Sequence, residues 1–400
     1  MPSLVPTDPA GPRAARETFF ATCAPGLEPV LHEELAGLRL ARIERQVGGV
    51  RFEGGIEDAW RANLNARTAV RILLRLARFE AASADALYAG ASAVDWGRFL
   101  RPDGTFRVDA HSNESALDHT LFVEQRVKDA VADAFRARHG ARPSVDLEDP
   151  ELSIHVHLFR DRCTLSVDTS GESLHKRGWR RFQGRAPLAE TLAAGIVLLS
   201  GWDRRSPLLD PFCGSGTVLI EAAWIAGGVP PGHLRKRFGF ERWIGHDAAR
   251  WRALVDASRA GIDFPKKLVL EGSDSDPSAV AGARDNLAAA GLDDRIRFEV
   301  RDAADFAPKR GWNAWIVTNP PYGERVGRER DLEGLYQGFG RLLRERCGGY
   351  AVAVLSGNPA LSKALGLDLA RRTALKNGSI DCELLEARVP SSPAPSPASR

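Results

Sequence analysis

The segment Thr318-Asn319-Pro320-Pro321-Tyr322-Gly323 follows the apolar run AWIV and carries residue types suited to an amine substrate. An exocyclic amine on a nucleobase is a poor nucleophile, because its lone pair is delocalised into the ring. Asn319 offers a side-chain carbonyl and Pro320 a backbone carbonyl. Two acceptors on the two N–H bonds would aim the lone pair at an electrophilic methyl group. The two prolines stiffen the loop. Tyr322 offers a ring on which a base drawn out of its helix can stack.

Three further clusters fit a nucleoside-type ligand. In Leu208-Leu209-Asp210-Pro211-Phe212-Cys213-Gly214-Ser215-Gly216-Thr217 an apolar strand runs into a glycine turn and then a helix. Glycines there let a ligand approach the backbone. No Lys follows the second glycine, so the turn is not a P-loop, and the third glycine of a dinucleotide fingerprint is missing. Gly272-Ser273-Asp274-Ser275-Asp276-Pro277 places acids where a second strand ends, the position that accepts ribose hydroxyls in dinucleotide folds. A helix N-cap is the competing reading, above all for Asp276. Arg301-Asp302-Ala303-Ala304 puts another acid after RIRFEV, either as a turn acid or as an acceptor for an adenine amine.

The elements that must position these residues follow from periodicity. From Pro187 onward apolar strands alternate with helical segments (LAETLAAGIVLLSGW, PLLD, TVLIEAAWIA, KLVLEGSD, SAVAGARDNLAAAG, RIRFEVRD, WNAWIVTN, YAVAVLSG), which predicts a doubly wound α/β sheet. Ligands of such sheets lie beyond the carboxyl ends of the strands. Ahead of it, the order β-α-β-β-α-β from Thr18 to Ala81 reads as a ferredoxin-like α+β module. A second α+β unit follows, with a helix whose Leu121, Val127, Val131 and Phe135 share a face, and a hairpin turning at Arg160-Asp161. The expected boundaries are a flexible arm 1–16, a lead-in 17–60, a second unit 61–170, a basic linker 171–186, the catalytic sheet 187–389 and a flexible Pro/Ser tail 390–400.

Composition bounds the rest. The 400 residues are 44% hydrophobic and 27% charged, enough for two or three cored domains and too apolar for a disordered chain. No apolar run is long enough to span a bilayer, and the N-terminus has no secretory core, so no membrane partner is expected. Five scattered cysteines exclude CxxC redox and zinc-ribbon spacing, leave no metal site, and suit a reducing cytoplasm. A net charge of +3 does not by itself announce a nucleic-acid binder. Locally, however, Leu174-His175-Lys176-Arg177-Gly178-Trp179-Arg180-Arg181-Phe182 holds five Arg or Lys up to residue 185 and no acid. Phosphate contact by the cations with stacking on Trp179 is the functional reading, a solvated charge run the plain one. The stretch between Ala226 and Lys267, with GHLRKRFGFERW, poses the same choice.

The string DPFCGSG…GSDSD…RDAAD…NPPYG resembles class I S-adenosylmethionine-dependent amino-methyltransferases that act on nucleic-acid bases. With RPSVDLEDPELSIHVHLFRDRCTLSVDTSGESLHKRGWR and APLAETLAA, residues 17–388 are similar to the THUMP-containing branch, and within it to the bacterial 23S rRNA guanine-N2-methyltransferase RlmL-like family. The resemblance implies a Rossmann-like methyltransferase sheet behind a ferredoxin-like and THUMP RNA-binding region, with S-adenosylmethionine as cofactor and RNA as partner. Carried over position by position, it implies that Asp210, Phe212, Gly214 and Gly216 line the methionine and ribose part, with Pro187 and Leu188 at the methionine end. Asp274 would hold the ribose, Ser275 and Asp276 would lie beside the adenine, Asp302 would reach its amine and Ala303 its ring. Asn319, Pro320 and Tyr322 would carry the methyl acceptor. On the local charge reading above, and apart from the resemblance, His175, Lys176, Arg177, Trp179, Arg180 and Arg181 would meet RNA. Some bacterial relatives continue into a second methyltransferase domain, whereas this sequence ends in a Pro/Ser tail, so only one activity is expected. The competing readings are tRNA guanine-N2 methylation, adenine-N6 methylation of DNA or RNA, and a non-catalytic RNA-binding ribosome-assembly protein.

Overall fold

The computed structural model describes residues 16–184, 187–309, 311–322 and 329–391. The arm and tail marked as flexible therefore fall outside the described residues, apart from Arg16, Pro390 and Ser391.

The N-terminal half runs β1 (Glu17–Cys23), α1 (Glu28–Gly37), β2 (Ala41–Gln46), β3 (Gly49–Gly54), α2 (Ile56–Asn65) and β4 (Ala69–Glu80). It continues through α3 (Ala84–Ser92), β5 (Thr105–Asn113), α4 (Thr120–His139), β6 (Ser144–Val145), β7 (Leu152–Phe159) and β8 (Arg162–Asp168). The first six elements are the anticipated β-α-β-β-α-β module, but the boundary placed at residue 60 falls inside α2. The two units are also less separate than the sequence implies. Strand β4 pairs with β1 on one side and β8 on the other, giving one eight-stranded sheet in the order β2-β3-β1-β4-β8-β7-β5-β6.

Period-two alternation puts Phe19, Ala21, Val50, Phe52, Ile72, Leu74, Ile154, Val156, Leu165 and Val167 in the core. The turn between β7 and β8 is the predicted one, with Arg160 and Asp161 at φ +49° and +58°, as a two-residue hairpin turn requires. One assignment on α4 fails. Leu121 is 63% exposed, and Val123 takes its place beside Val127, Val131 and Phe135. Val123 lies one turn before Val127, whereas Leu121 lies well round the helix.

The C-terminal half contains α5 (Glu190–Leu199), β9 (Leu208–Asp210), α6 (Thr217–Ala226), α7 (Ala248–Ala260), β10 (Leu270–Asp274), α8 (Pro277–Ala289) and β11 (Arg297–Val300). Then come β12 (Trp315–Thr318), α9 (Glu329–Arg346), β13 (Ala351–Ser356), α10 (Pro359–Ala364), β14 (Leu369–Asn377) and β15 (Ile380–Arg388). Their sheet has the order β11-β10-β9-β12-β13-β15-β14. Strands β11 to β13 are parallel, as predicted, and the sheet closes with an antiparallel β14–β15 hairpin that the sequence reading did not identify. Both faces are covered. Leu208, Val317, Ala353 and Leu355 belong to the core under α5, α6 and α8, while Leu209, Ile316, Val352 and Val354 pack with Tyr336, Phe339 and Leu343 of α9. Strand order reverses beside β9, so the crevice for a ligand opens where β9 and β12 end.

The two halves share one continuous core. The insertion after α6 bolts them together, because Phe238, Phe240, Trp243 and Trp251 are buried and Phe240 stacks on Trp60 of α2 at 5.5 Å. Its basic, aromatic composition is therefore an interdomain clamp. Arg235 donates to the carbonyls of Ser173, Lys176 and Glu172 at 2.8–2.9 Å rather than projecting toward a polyanion.

Candidate active site

The strand β9 ends in Asp210, 1% exposed, and the chain turns through Cys213 and Gly214 into α6. Cys213 N donates to Ser273 O at 2.9 Å and Gly216 N to Cys213 O at 2.8 Å, so the turn is stitched to β10 and to itself. Gly214 and Gly216 have φ of +49° and +80°. At Gly216 a Cβ would fall 2.8 Å from the Phe298 ring, whereas nothing lies within 4 Å of a Cβ at Gly214. The first glycine thus opens onto free space and the second packs against the sheet.

Asp274, at the end of β10, accepts the Gly214 N–H at 2.9 Å through Oδ2 and the Asp276 N–H at 3.0 Å through Oδ1. Each carboxylate oxygen keeps further lone pairs for a ligand's hydroxyls. Asp276 itself is exposed and caps α8, its Oδ1 accepting from Ser278 N at 2.8 Å, so its helix-cap reading is realised. Ser275 is exposed beside it. Asp302 is exposed, caps a short 3-10 turn through Ala304 N at 2.8 Å, and follows β11 at the same sheet edge; Ala303 is buried. Pro187 is half-buried and Leu188 buried ahead of α5. Phe212 is half-buried, its ring edge-on to Phe339 at 5.1 Å.

Strand β12 lies directly beside β9 and delivers the Asn-Pro-Pro-Tyr loop to the glycine turn. The junction is a buried hydrogen bond from Thr318 Oγ1 to Asp210 Oδ1 at 2.6 Å, and Phe212 N donates to the same oxygen at 3.2 Å. Burial, reinforced by the Asp274 charge, pushes the Asp210 carboxyl up to about 7 in spite of these bonds. Next along the chain, Asn319 Oδ1 is buried and has no hydrogen-bond partner among the described residues. A buried unpaired acceptor costs about 1–3 kcal/mol, a cost that an N–H from a ligand in the crevice would relieve. Pro320 is buried; Tyr322 is half-buried and its hydroxyl accepts from Asn377 Nδ2 at 2.9 Å. Gly323 lies outside the described residues.

The basic linker is where the structure departs most from expectation. Trp179 is fully buried against Trp224, ring centroids 6.4 Å apart, and cannot stack on a base. Arg177 is 1% exposed and pairs with Glu221 of α6, Nε to Oε1 at 3.2 Å, while donating to Leu174 O and Arg67 O. Arg180 pairs with Glu190 at 2.7 Å and donates to Leu188 O, Thr217 Oγ1 and Ser215 Oγ. These three are internal struts, because a linker threaded between two packed halves needs donors for its neighbours' carbonyls and carboxylates. His175 is half-buried with Nδ1 2.7 Å from Ser173 Oγ, and burial lowers its pKa. Lys176 and Arg181 remain exposed, Lys176 beside Glu172 at 2.9 Å.

Two buried residues of the site, Asn286 and Thr318, lie outside the residues that the motifs assign to a ligand. Asn286, in α8 and fully buried, accepts from Arg181 N and Phe182 N and donates to Ser215 O at 3.1 Å, tying the linker to the glycine turn. An Asn on the apolar side of SAVAGARDNLAAAG was a readable signal. Thr318 had none, since a threonine closing a strand is ordinary. No group of three or more His, Cys, Asp or Glu is placed to hold a metal among the described residues, and no helix there is long and apolar enough to cross a membrane.

A doubly wound sheet with a glycine turn, a strand-end acid and an unpaired amide carbonyl at one crevice, carried behind an α+β sheet module, defines a methyltransferase-type architecture. The comparisons with known proteins agree. A model described as the RMKL-like methyltransferase domain matches residues 177–386, a THUMP-domain model 81–168, and an RlmL ferredoxin-like domain model 18–73. The chain belongs to the RMKL-like methyltransferase-domain family. The ribosomal RNA large subunit methyltransferase K/L of Methylococcus capsulatus is 44% identical over 372 residues, 92% of this chain and 50% of that protein. The chain thus spans about half the length of the curated relatives it matches. Among solved structures, SMU.472, a methyltransferase by its description and complexed with SAH, superposes with a TM-score of 0.86 at 30% identity, covering 95% of this chain and 99% of that one. A protein described as a methylase, from Clostridium difficile 630, gives 0.87 at 30% identity, covering 95% and 100%.

Proposed function

We propose that the chain transfers a methyl group from S-adenosylmethionine to the exocyclic N2 of a guanine in large-subunit ribosomal RNA. The observation that carries this reading is the unpaired, buried Oδ1 of Asn319 beside the glycine turn. Family membership, the SAH complex of SMU.472 and the name of the Methylococcus relative support it.

The residues present suit the cofactor. Gly214 leaves open space above its backbone, Asp274 has acceptor capacity for ribose hydroxyls, and Asp302 with Ala303 lies one strand further along the same edge. S-adenosylmethionine, when bound, supplies a methyl group made electrophilic by its sulfonium. Asn319 Oδ1 and the Pro320 carbonyl each accept one amine N–H, which turns the nitrogen lone pair out of conjugation and toward the crevice. The same two oxygens would hold the two N–H bonds of the cationic methylated nitrogen, and the proton displaced by the new N–C bond would pass to solvent water as the product leaves, with the thioether of the spent cofactor as leaving group. Positioning and preorganised acceptors supply the rate. Contact with RNA phosphates falls to Lys176 and Arg181, the exposed cations among the described residues of the linker.

The test is tritiated-methyl transfer from S-adenosylmethionine into protein-free 23S rRNA, tRNA and genomic DNA, followed by nucleoside mass spectrometry. N2-methylguanosine in 23S rRNA is expected. Asn319→Ala should lower turnover about 10²–10³-fold, the usual effect of losing one preorganised polar group at a reacting centre, with SAH affinity retained. Label in DNA, N6-methyladenine as product, or an active Asn319→Ala enzyme refutes the reading.

A further inference from the structure

Tyr322 is held by the one part of the sheet that the sequence did not foretell. Asn377, the last residue of β14, donates through Nδ2 to the Tyr322 hydroxyl at 2.9 Å, and Cys382 of β15 places its Sγ 3.7 Å from the same oxygen. A third contact comes from Gly357, immediately after β13. A Cβ built there would lie 2.5 Å from Cδ2 and 2.6 Å from Cε2 of Tyr322, so the ring occupies the space a methyl group would need. Gly357 has a negative φ, hence its lack of a side chain serves this approach and not the backbone. Hydroxyl and ring edge are thus fixed by two different elements, which sets both the direction of the side chain and the plane of its ring.

We infer that Gly357 and Asn377 are positioning residues for the target base, holding the Tyr322 ring in its stacking plane before RNA arrives. The inference rests on the proposed base-modifying role of the Asn-Pro-Pro-Tyr loop. An aromatic ring stacks usefully on an extruded base only if its plane matches the plane that the Asn319 and Pro320 acceptors impose on the amine. A freely rotating tyrosine would add ordering cost to each encounter. The β14–β15 hairpin removes that cost in advance.

The chain has four tyrosines, Tyr88, Tyr322, Tyr336 and Tyr350, so the full-length protein labelled with 3-fluorotyrosine gives few fluorine resonances, and Tyr322→Phe assigns the relevant one. Asn377→Ala and Gly357→Ala are each expected to shift that resonance toward the free amino acid position. Both should lower turnover on 23S rRNA about tenfold, the loss of one hydrogen bond's worth of positioning, while calorimetric SAH affinity stays within about twofold. In a Tyr322→Phe background Asn377→Ala should cause no further loss, since the bond is already gone. A resonance that does not move overturns the pinning. A moved resonance with unchanged turnover, or an equal loss in the Tyr322→Phe background, overturns the positioning role. Should the wild-type protein transfer no methyl group to 23S rRNA, the proposed function fails, and the fluorine spectrum decides the pinning separately.

Discussion

Replacing Glu221 with Ala should destabilise the junction between the halves far more than an ordinary polar-to-alanine change. Glu221 is fully buried in α6 and faces two guanidinium groups. Arg177 pairs with it at 3.2 Å, and Arg67, which donates to Trp224 O and Val229 O, feels its charge as well. Burial lowers the Arg67 pKa to about 10 and raises that of Glu221, so the site is dry enough for desolvation to dominate. Taking away the carboxylate that pairs with Arg177 leaves buried charge without compensation, which costs about 3–5 kcal/mol. The double variant Arg177→Met, Glu221→Leu removes both charges and should recover about half of that loss, because apolar replacement of a buried pair is often close to neutral. Urea denaturation followed by hydrogen exchange on peptides from α6 reads the effect where it arises. A loss below about 1 kcal/mol for Glu221→Ala, or a double variant worse than the single one, would refute the claim that this pair is dry and charged.

Two further outcomes follow from the site. The Asp210 carboxyl, raised from 3.8 to about 7, binds its proton more tightly folded than unfolded, so its effect on stability is most favourable below about pH 4 and is lost as pH rises toward 7. Asp210→Asn keeps the acceptor for Thr318 and Phe212 and should flatten that dependence, gaining up to about 4 kcal/mol on wild type at pH 8; parallel urea titrations at pH 5 and pH 8 that run side by side would contradict it. For RNA affinity, Lys176→Ala and Arg181→Ala should each reduce the slope of log K against log salt by about 1, whereas the buried Trp179→Phe should leave the slope unchanged, and filter binding across a salt series distinguishes them.

How much of this was legible depended on how locally each feature is encoded. The glycine turn, Asp274 and the Asn-Pro-Pro-Tyr loop are short strings with backbone constraints of their own, and the structure gathers them at one crevice through β9, β10 and β12. The hairpin at Arg160-Asp161 was readable because alternation on both sides fixes its register. Strands β14 and β15 were missed because LARRTALKN and IDCELLEAR are polar on their exposed side and lie beyond the β-α alternation, where the grammar of a parallel sheet gives no cue. The basic linker misled for a different reason. A run of arginines looks the same whether it meets phosphate or meets Glu190 and Glu221, acids 10 and 44 residues further on. Only tertiary structure supplies those partners.

The relocation of Arg177 and Arg180 from surface to interior changes what the linker does. Arg180 reaches Leu188 O, Glu190, Ser215 and Thr217 at once, so one guanidinium spans the segment ahead of α5 and the glycine turn. Arg177 joins Arg67, between α2 and β4, to α6. Asn286 fastens the backbone of the same linker to the carbonyl of Ser215. The first turn of α6 and the segment leading into β4 are thus connected through two arginines and one asparagine. In an enzyme that must hold a base against a cofactor, such rigidity has a direct use. Under the proposed function, the α+β half, once seated on RNA, would fix the orientation of the glycine turn, and the Asn-Pro-Pro-Tyr loop would inherit that orientation through the Thr318–Asp210 bond.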